Sequence, residues 1–347
     1  MNGKTIILSR TDSIGDVILT LPMAGVLKEL YPACKIIFLG RGYTEDVIML
    51  SDYVDHFINW DLYKAESKQI QIKAFRDLKA DILIHVFPRK EIAEIARKAG
   101  ISIRVGTTNR IYHWIACNRL IRLSRKRSSL HETQLNLKLI TNLGAKKAYF
   151  LSEIPLYYGF HNIPPLVEDL YCLLSQERFN LVLHPKSKGS AREWGLNNFS
   201  ELIEILPRDQ FEIFITGTKE EGILLKESLI EKYPHITDLT GQLSLEELMA
   251  FIAKTDGLIA ASTGPLHIAA ALGKIAIGIY PPLRPMHPGR WAPVGEHATF
   301  IVADKVCNKC RKNGRCECME GISPENVKTL LLDSCKMKYD DSFESAT

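Results

Sequence analysis

The sequence predicts an α/β protein made of two Rossmann-like domains, each with a parallel sheet. Three observations predict it. Short apolar runs alternate with longer amphipathic ones along the whole chain, the pattern of parallel strands covered by helices on both faces. The alternation is interrupted once, at residues 155–165, rich in Pro, Tyr and Asn, which read as a linker. At 347 residues the chain is also too long for one typical core.

The elements follow in order. In the first half, apolar runs predict strands at 5–9 (T-I-I-L-S), 35–39 (K-I-I-F-L), 56–59 (H-F-I-N) and 81–87 (D-I-L-I-H-V-F). Longer amphipathic runs predict helices at 16–30, 44–50, 67–78, 90–99 and 131–143. The second half gives strands at 180–184, 211–216, 236–239, 257–261 and 275–279, and helices at 198–206, 219–232, 244–253 and 265–272. The expected domains are 1–160 and 166–335, with a polar, disordered tail at 336–347. Ligands of such sheets sit beyond the carboxyl ends of the strands, so the cleft between the domains is the expected site.

Composition narrows the class. Hydrophobic content of 46% and charged content of 24% are those of a soluble globular protein. A net charge of +4 is small for this length and does not suggest a nucleic-acid partner. Residues 1–10 carry no secretory pattern, and the longest uncharged apolar stretch, 257–273, is interrupted by S-T-G-P. The expected location is the cytoplasm, where the eight cysteines are thiols or metal ligands.

Three segments carry chemistry. The most informative is A-S-T-G-P-L-H-I-A-A-A-L-G at 261–273. Pro265 suits the first turn of a helix, and Ser262, Thr263 and Gly264 supply hydroxyls and flexible backbone just before it. Such a helix start presents free N–H groups and a positive dipole end to a diphosphate. The plain alternative is a capped helix between strands. The second segment is H-P-K-S-K-G-S-A-R-E-W at 184–194. Gly189 and small neighbours let backbone approach an anion, while Lys186, Lys188 and Arg192 bring positive charge. No G-K-[ST] follows the glycine, so it is not a Walker A loop. The third is S-R-T-D-S-I-G-D at 9–16. Asp16 lies near a helix start, where a cap is the commoner use of Asp; a general base is the functional reading.

Taken together these segments resemble glycosyltransferase family 9, the ADP-heptose:lipopolysaccharide heptosyltransferases. The resemblance covers nearly the whole chain. It includes S-x-G-D-x-x-x-T-L-P at 13–22, H-E-x-x-x-N-L-x-L at 131–139, T-G-P-x-H-x-A-A-A-L-G at 263–273 and C-M-x-x-I-x-P-E at 318–325. It implies a GT-B fold, with an acceptor-binding first domain and a nucleotide-sugar-binding second domain whose sheets face each other across a cleft. It also implies inverting, metal-independent transfer with no cofactor. By the same resemblance Asp16 is the catalytic base and Arg192 stabilises the departing diphosphate. Ser187 and Lys188 are phosphate-loop contacts, Thr263, Gly264 and His267 bind diphosphate at the helix start, and Leu243 touches adenine. Glu220 or Glu221, with Glu221 preferred, faces the ribose. Ser262 departs from the pattern, because many members have Asp there; that leaves the donor sugar open.

Two features lie outside the motifs. Cys307, Cys310, Cys316 and Cys318 form C-x2-C-x5-C-x-C, a candidate structural zinc or iron–sulfur site or simply a loop of reduced thiols. From Arg104 to Arg127 the chain is basic and has no Asp or Glu. It reads as a solvated loop and helix face, or as a surface, with Arg122, Arg125 and Arg127, for an anionic glycolipid acceptor or the inner membrane. The expected activity is transfer of a heptose or related sugar from an ADP-sugar to a lipopolysaccharide core or similar glycolipid. The alternatives are a GT-B transferase with another donor and a non-catalytic nucleotide-sugar binding protein.

Overall fold

The computed structural model describes residues 3–304 and 316–344. Two contiguous units divide between Asn162 and Ile163, inside the stretch read as a linker. In the first unit β1 (Thr5–Ser9), β2 (Lys35–Gly40), β3 (His56–Asn59), β4 (Ile82–His85), β5 (Ile103–Thr107) and β6 (Arg119–Ile121) form one sheet in the order β3-β2-β1-β4-β5-β6. Every pairing is parallel. Consecutive residues Ile6, Ile7 and Leu8 of β1 and Ile82, Leu83 and Ile84 of β4 are all fully buried. Burial without alternation is what a strand covered on both faces requires.

The second unit repeats the plan. Its strands are β7 (Phe179–His184), β8 (Phe211–Ile215), β9 (Thr237–Asp238), β10 (Gly257–Ala261), β11 (Ile275–Tyr280) and β12 (Ala298–Val302), in the order β12-β11-β10-β7-β8-β9. All pairings are again parallel. Leu181, Ile213, Ile259 and Ile277 pack in one core with Trp194, Phe199 and, from the C-terminal helices, Met319, Val327 and Leu331.

Several expectations are corrected. β5, β6 and β12 were not foreseen. Arg104 and Arg119 interrupt the apolar runs of the first two, and β12 is half-buried at a sheet edge. The basic stretch is therefore strand, helix Ile111–Ala116 and strand, not one loop and helix face. The helix expected at 16–30 is two helices, Ile14–Ile18 and Pro22–Leu30, because Pro22 has no N–H to continue the first and suits the start of the second. Of the expected linker at 155–165, residues 155–160 are docked on the first unit, following on from the helical turns Leu151–Tyr157. Ile154 and Tyr158 are buried there, and the Ser51 hydroxyl donates to the Tyr158 carbonyl at 2.6 Å. Residues 336–344 of the tail expected to be disordered continue the helix Pro324–Glu344, since no Gly or Pro stands between 325 and 344 to stop it; 345–347 lie outside the described residues. Among the described residues no helix is long and apolar enough to cross a membrane.

Candidate active site

In each sheet the strand order reverses beside the first strand, between β1 and β4 and between β7 and β10. Loops leaving the carboxyl ends of those strands diverge to opposite sides and leave a crevice for ligand.

In the first unit the loop after β1 brings Arg10, Asp12 and Asp16 to that point. Ser13, not Asp16, is the N-cap of the helix Ile14–Ile18, and its hydroxyl donates to the Asp16 carboxylate. The other Asp16 oxygen accepts from the Arg10 guanidinium. The Asp16 side chain keeps 18% of its surface exposed, so it is held yet still accessible. Arg10 itself is buried. It also donates to Asp12 at 2.7 Å, to Glu132 at 3.1 Å and to Asn136 at 3.3 Å. Burial opposes the Arg10 charge, but Asp16, Asp12 and Glu132 outweigh it and hold its pKa above the ordinary arginine value. Burial also pushes the Asp12 carboxyl up to about 6, against the lowering pull of Arg10. Arg89 reaches across from the loop after β4 and donates to the Thr11 hydroxyl at 2.6 Å.

Sequence reasoning did not assign Arg10, Glu132 and Asn136. The H-E-x-x-x-N motif did contain the signal, because Glu132 and Asn136 are four apart and share one helix face. Arg125 is a correction. It was expected on an acceptor or membrane surface, but it donates to Glu132 at 2.8 Å, to Asn136 at 2.9 Å and to the Val86 carbonyl at 3.1 Å. Arg122 and Arg127 are exposed.

In the second unit the loop after β7 turns through Lys188 and Gly189, both left-handed at φ 50° and 79°. Lys188 adopts that strained conformation because its amide is held by Glu221, at 3.0 Å. Ser187 is buried; its amide and hydroxyl donate to Glu193 at 3.1 and 3.2 Å. Glu193 also pairs with Lys186, which takes that lysine out of the free positive charge. Between this loop and the helix Lys219–Leu225 lies a cleft of about 480 Å³, lined by Lys186, Lys188, Gly189 and Glu193 on one side and Thr218, Glu220, Glu221 and Leu224 on the other. Glu221, expected on a ribose, is turned to the loop instead. It accepts from the Thr218 amide at 2.8 Å as a capping box, and from the Lys188 amide. Glu220 is exposed on the same cleft.

Across the reversal, Thr263 is the N-cap of the helix Gly264–Ala271, yet its side chain makes no cap bond. Its hydroxyl is buried without a partner. A buried hydroxyl at a helix N-terminus with nothing to bond is the place where an anion oxygen fits. His267 is buried one turn on. Ser262 bonds the Tyr280 hydroxyl. Leu243 is half-buried in the turn after β9. Arg192 is half-buried, and Trp194 is wholly buried with its indole N–H on the Ile322 carbonyl at 2.9 Å, a packing residue. Of the cysteine cluster, Cys316 and Cys318 pack into the second core; Cys307 and Cys310 lie outside the described residues.

Comparison with known proteins agrees with this architecture. Residues 71–319 match the model of glycosyltransferase family 9 (heptosyltransferase). The chain is 24% identical over 291 residues to the lipopolysaccharide core heptosyltransferase OpsX of Haemophilus influenzae, covering 80% of this chain and 79% of that one. The fold is similar to that of E. coli ADP-heptose LPS heptosyltransferase II, with a TM-score of 0.73 and 17% identity, covering 97% of this chain and 99% of the other. A family 9 glycosyltransferase from Veillonella parvula gives a TM-score of 0.73 at 18% identity, covering 96% and 98% of the two chains. The two parallel sheets are those of the GT-B plan. With the family model matching well over half its length, the chain belongs to glycosyltransferase family 9, the heptosyltransferase family, and is a transferase.

Proposed function

We propose that this enzyme moves a heptose, or a closely related sugar, from an ADP-sugar to a lipopolysaccharide core or similar cell-envelope glycolipid, with inversion and without a metal ion. One observation carries the reading. Asp16 stands at the strand-order reversal of the first unit, partly exposed and oriented by a buried guanidinium. A carboxylate held this way suits a general base. It takes the proton of an acceptor hydroxyl while that oxygen bonds to the anomeric carbon. The bond from that carbon to the diphosphate oxygen breaks on the opposite face, and ADP leaves with the electron pair. Growing charge on the diphosphate is met by Lys188 and Arg192 and by the amides that open the helix Gly264–Ala271, while Ser187, held by Glu193, shapes the loop that carries Lys188. These groups take the part a divalent ion plays elsewhere.

The ADP donor rests on the relatives' names and on Leu243 as an apolar contact for adenine. The donor sugar has a second reading, because Ser262 is neutral and engaged with Tyr280. A sugar other than the family's usual one fits a site that lacks a carboxylate there. The acceptor reading gains from the helix Ile111–Ala116, whose Ile111, Trp114 and Ile115 are exposed, in a segment that also exposes Arg110, Arg119, Arg122 and Arg127. Apolar and basic side chains together suit peripheral contact with an anionic lipid surface.

The test has two arms. ADP should raise the melting temperature where UDP and GDP do not; a response to UDP or GDP alone overturns the donor. Asp16→Asn should lower kcat roughly 10²- to 10⁴-fold with ADP binding kept. Undiminished turnover in that variant overturns the base.

A further inference from the structure

Beneath the helix Ile111–Ala116 lies a cluster that the transfer reaction does not use. His85 ends β4, His113 lies on the helix, and Cys117 caps its C-terminus. His113 and Cys117 are four residues apart and so share one face. One ligand atom from each of the three lies within 4.8 Å of the others, and all three residues are buried.

Ordinary packing does not account for the donors. Neither ring nitrogen of His85 has a hydrogen-bond partner, and His113 Nε2 has none. Two facing imidazoles with three unpaired buried nitrogens are costly unless something occupies the space between them. Their ring centroids are 5.1 Å apart, without a hydrogen bond joining them. The backbone makes room for the cluster. A Cβ on Gly106 would fall 2.7 Å from both the Cys117 Sγ and the His113 Nδ1, so only glycine fits at that point of β5. The Thr107 amide donates to His113 Nδ1 at 2.8 Å and the Thr107 carbonyl lies 3.2 Å from the same nitrogen, so coordination through Nε2 uses the other neutral tautomer, in which the ring proton moves to Nδ1 and is donated to that carbonyl.

We propose that His85, His113 and Cys117 bind a transition-metal ion, zinc by the nature of the donors, which fastens the helix Ile111–Ala116 to the ends of β4 and β5. Two imidazoles and a thiolate form a donor set for zinc, with bonds of about 2.0–2.3 Å. Small rotations of the side chains close the three atoms on one ion, and a water completes the coordination. On binding, Cys117 releases its thiol proton to solvent, and both imidazoles coordinate as neutral rings. The ion is structural in this account and independent of the proposed sugar transfer. It holds the face that presents Ile111, Trp114 and Ile115.

The test uses the full chain with Cys307→Ser and Cys310→Ser, so that the other cysteine cluster cannot supply a competing site. Purified in reductant without chelator, this parent should carry about one zinc per chain by elemental analysis. Exchange for cobalt should give a thiolate-to-cobalt charge-transfer band. Adding Cys117→Ser should abolish that band, and adding His85→Gln should remove the ion. A folded parent with no zinc and no cobalt band overturns the proposal, whether or not the further variants fold. So does metal content that survives both Cys117→Ser and His85→Gln.

Discussion

Single side chains give the sharpest tests of the site. Thr263 carries a buried hydroxyl with no partner, which costs stability until a ligand supplies one. Thr263→Val should therefore leave the melting temperature of the ligand-free enzyme equal or higher. The same change should weaken ADP binding by about 0.5–1.5 kcal/mol, read by calorimetry. Asp12 tests the cluster around Arg10. Three carboxylates, Asp12, Asp16 and Glu132, face Arg10, and Arg125 adds a second cation at Glu132. One negative charge is in excess, and burial makes Asp12 hold its proton up to about 6. The folded chain thus binds that proton more tightly than the unfolded chain. The sign follows: stability falls as pH rises from about 4 to about 6, and the penalty is full above that. Asp12→Asn should raise the melting temperature near pH 8 and leave it unchanged near pH 4. At this scale the sequence was legible where function is local. The loops that carry Asp16, Lys188 and Thr263 are short segments read where the structure places them, at the carboxyl ends of β1, β7 and β10; the roles of these residues are proposals. The Arg10–Glu132 pair joins residues 122 apart, and Glu221 owes its role to a loop that folds back on it, so neither could be read locally.

Among the elements, the helix Ile111–Ala116 makes the clearest separation between charge that faces outward and charge turned inward. Arg122 and Arg127, a few residues after it, are exposed, whereas Arg125 is bound to Glu132 and Asn136. Replacing Arg122 and Arg127 by Ala should weaken sedimentation with anionic vesicles at low salt by about 2 kcal/mol, at about 1 kcal/mol per residue, with melting temperature kept. Arg125→Ala should instead lower the melting temperature, because it leaves the buried Glu132 short of a partner. Unchanged binding by the double variant would remove the lipid-facing role. Elements with uninterrupted apolar runs, such as β1, β4 and β10, were legible because both their faces are covered. β5 and β6 were hidden because arginines stand in both, Arg104 in β5 and Arg119 in the edge strand β6, and only the ladders of β5 with β4 and of β6 with β5 reveal them. The break at Pro22 was visible in the sequence as a proline, but the apolar periodicity on either side of it masked two helices as one.

Across the whole molecule the same strand order recurs in both units, and the reversal beside the first strand puts a functional loop at the same place in each. Two sheets were legible from the alternation alone. The exact partition was not, because Tyr158 and Phe160 look like linker residues until the surface that buries them is known. The backbone passes from one unit to the other a single time, at residues 162–163. Every group proposed to hold the nucleotide lies after that crossing, and the proposed base lies before it. A polypeptide of residues 163–347 should therefore take up ADP in calorimetry about as tightly as the intact enzyme while transferring nothing. On the proposed assignment, grip and chemistry are written on separate, consecutive lengths of the polypeptide, so a lineage could exchange one and keep the other.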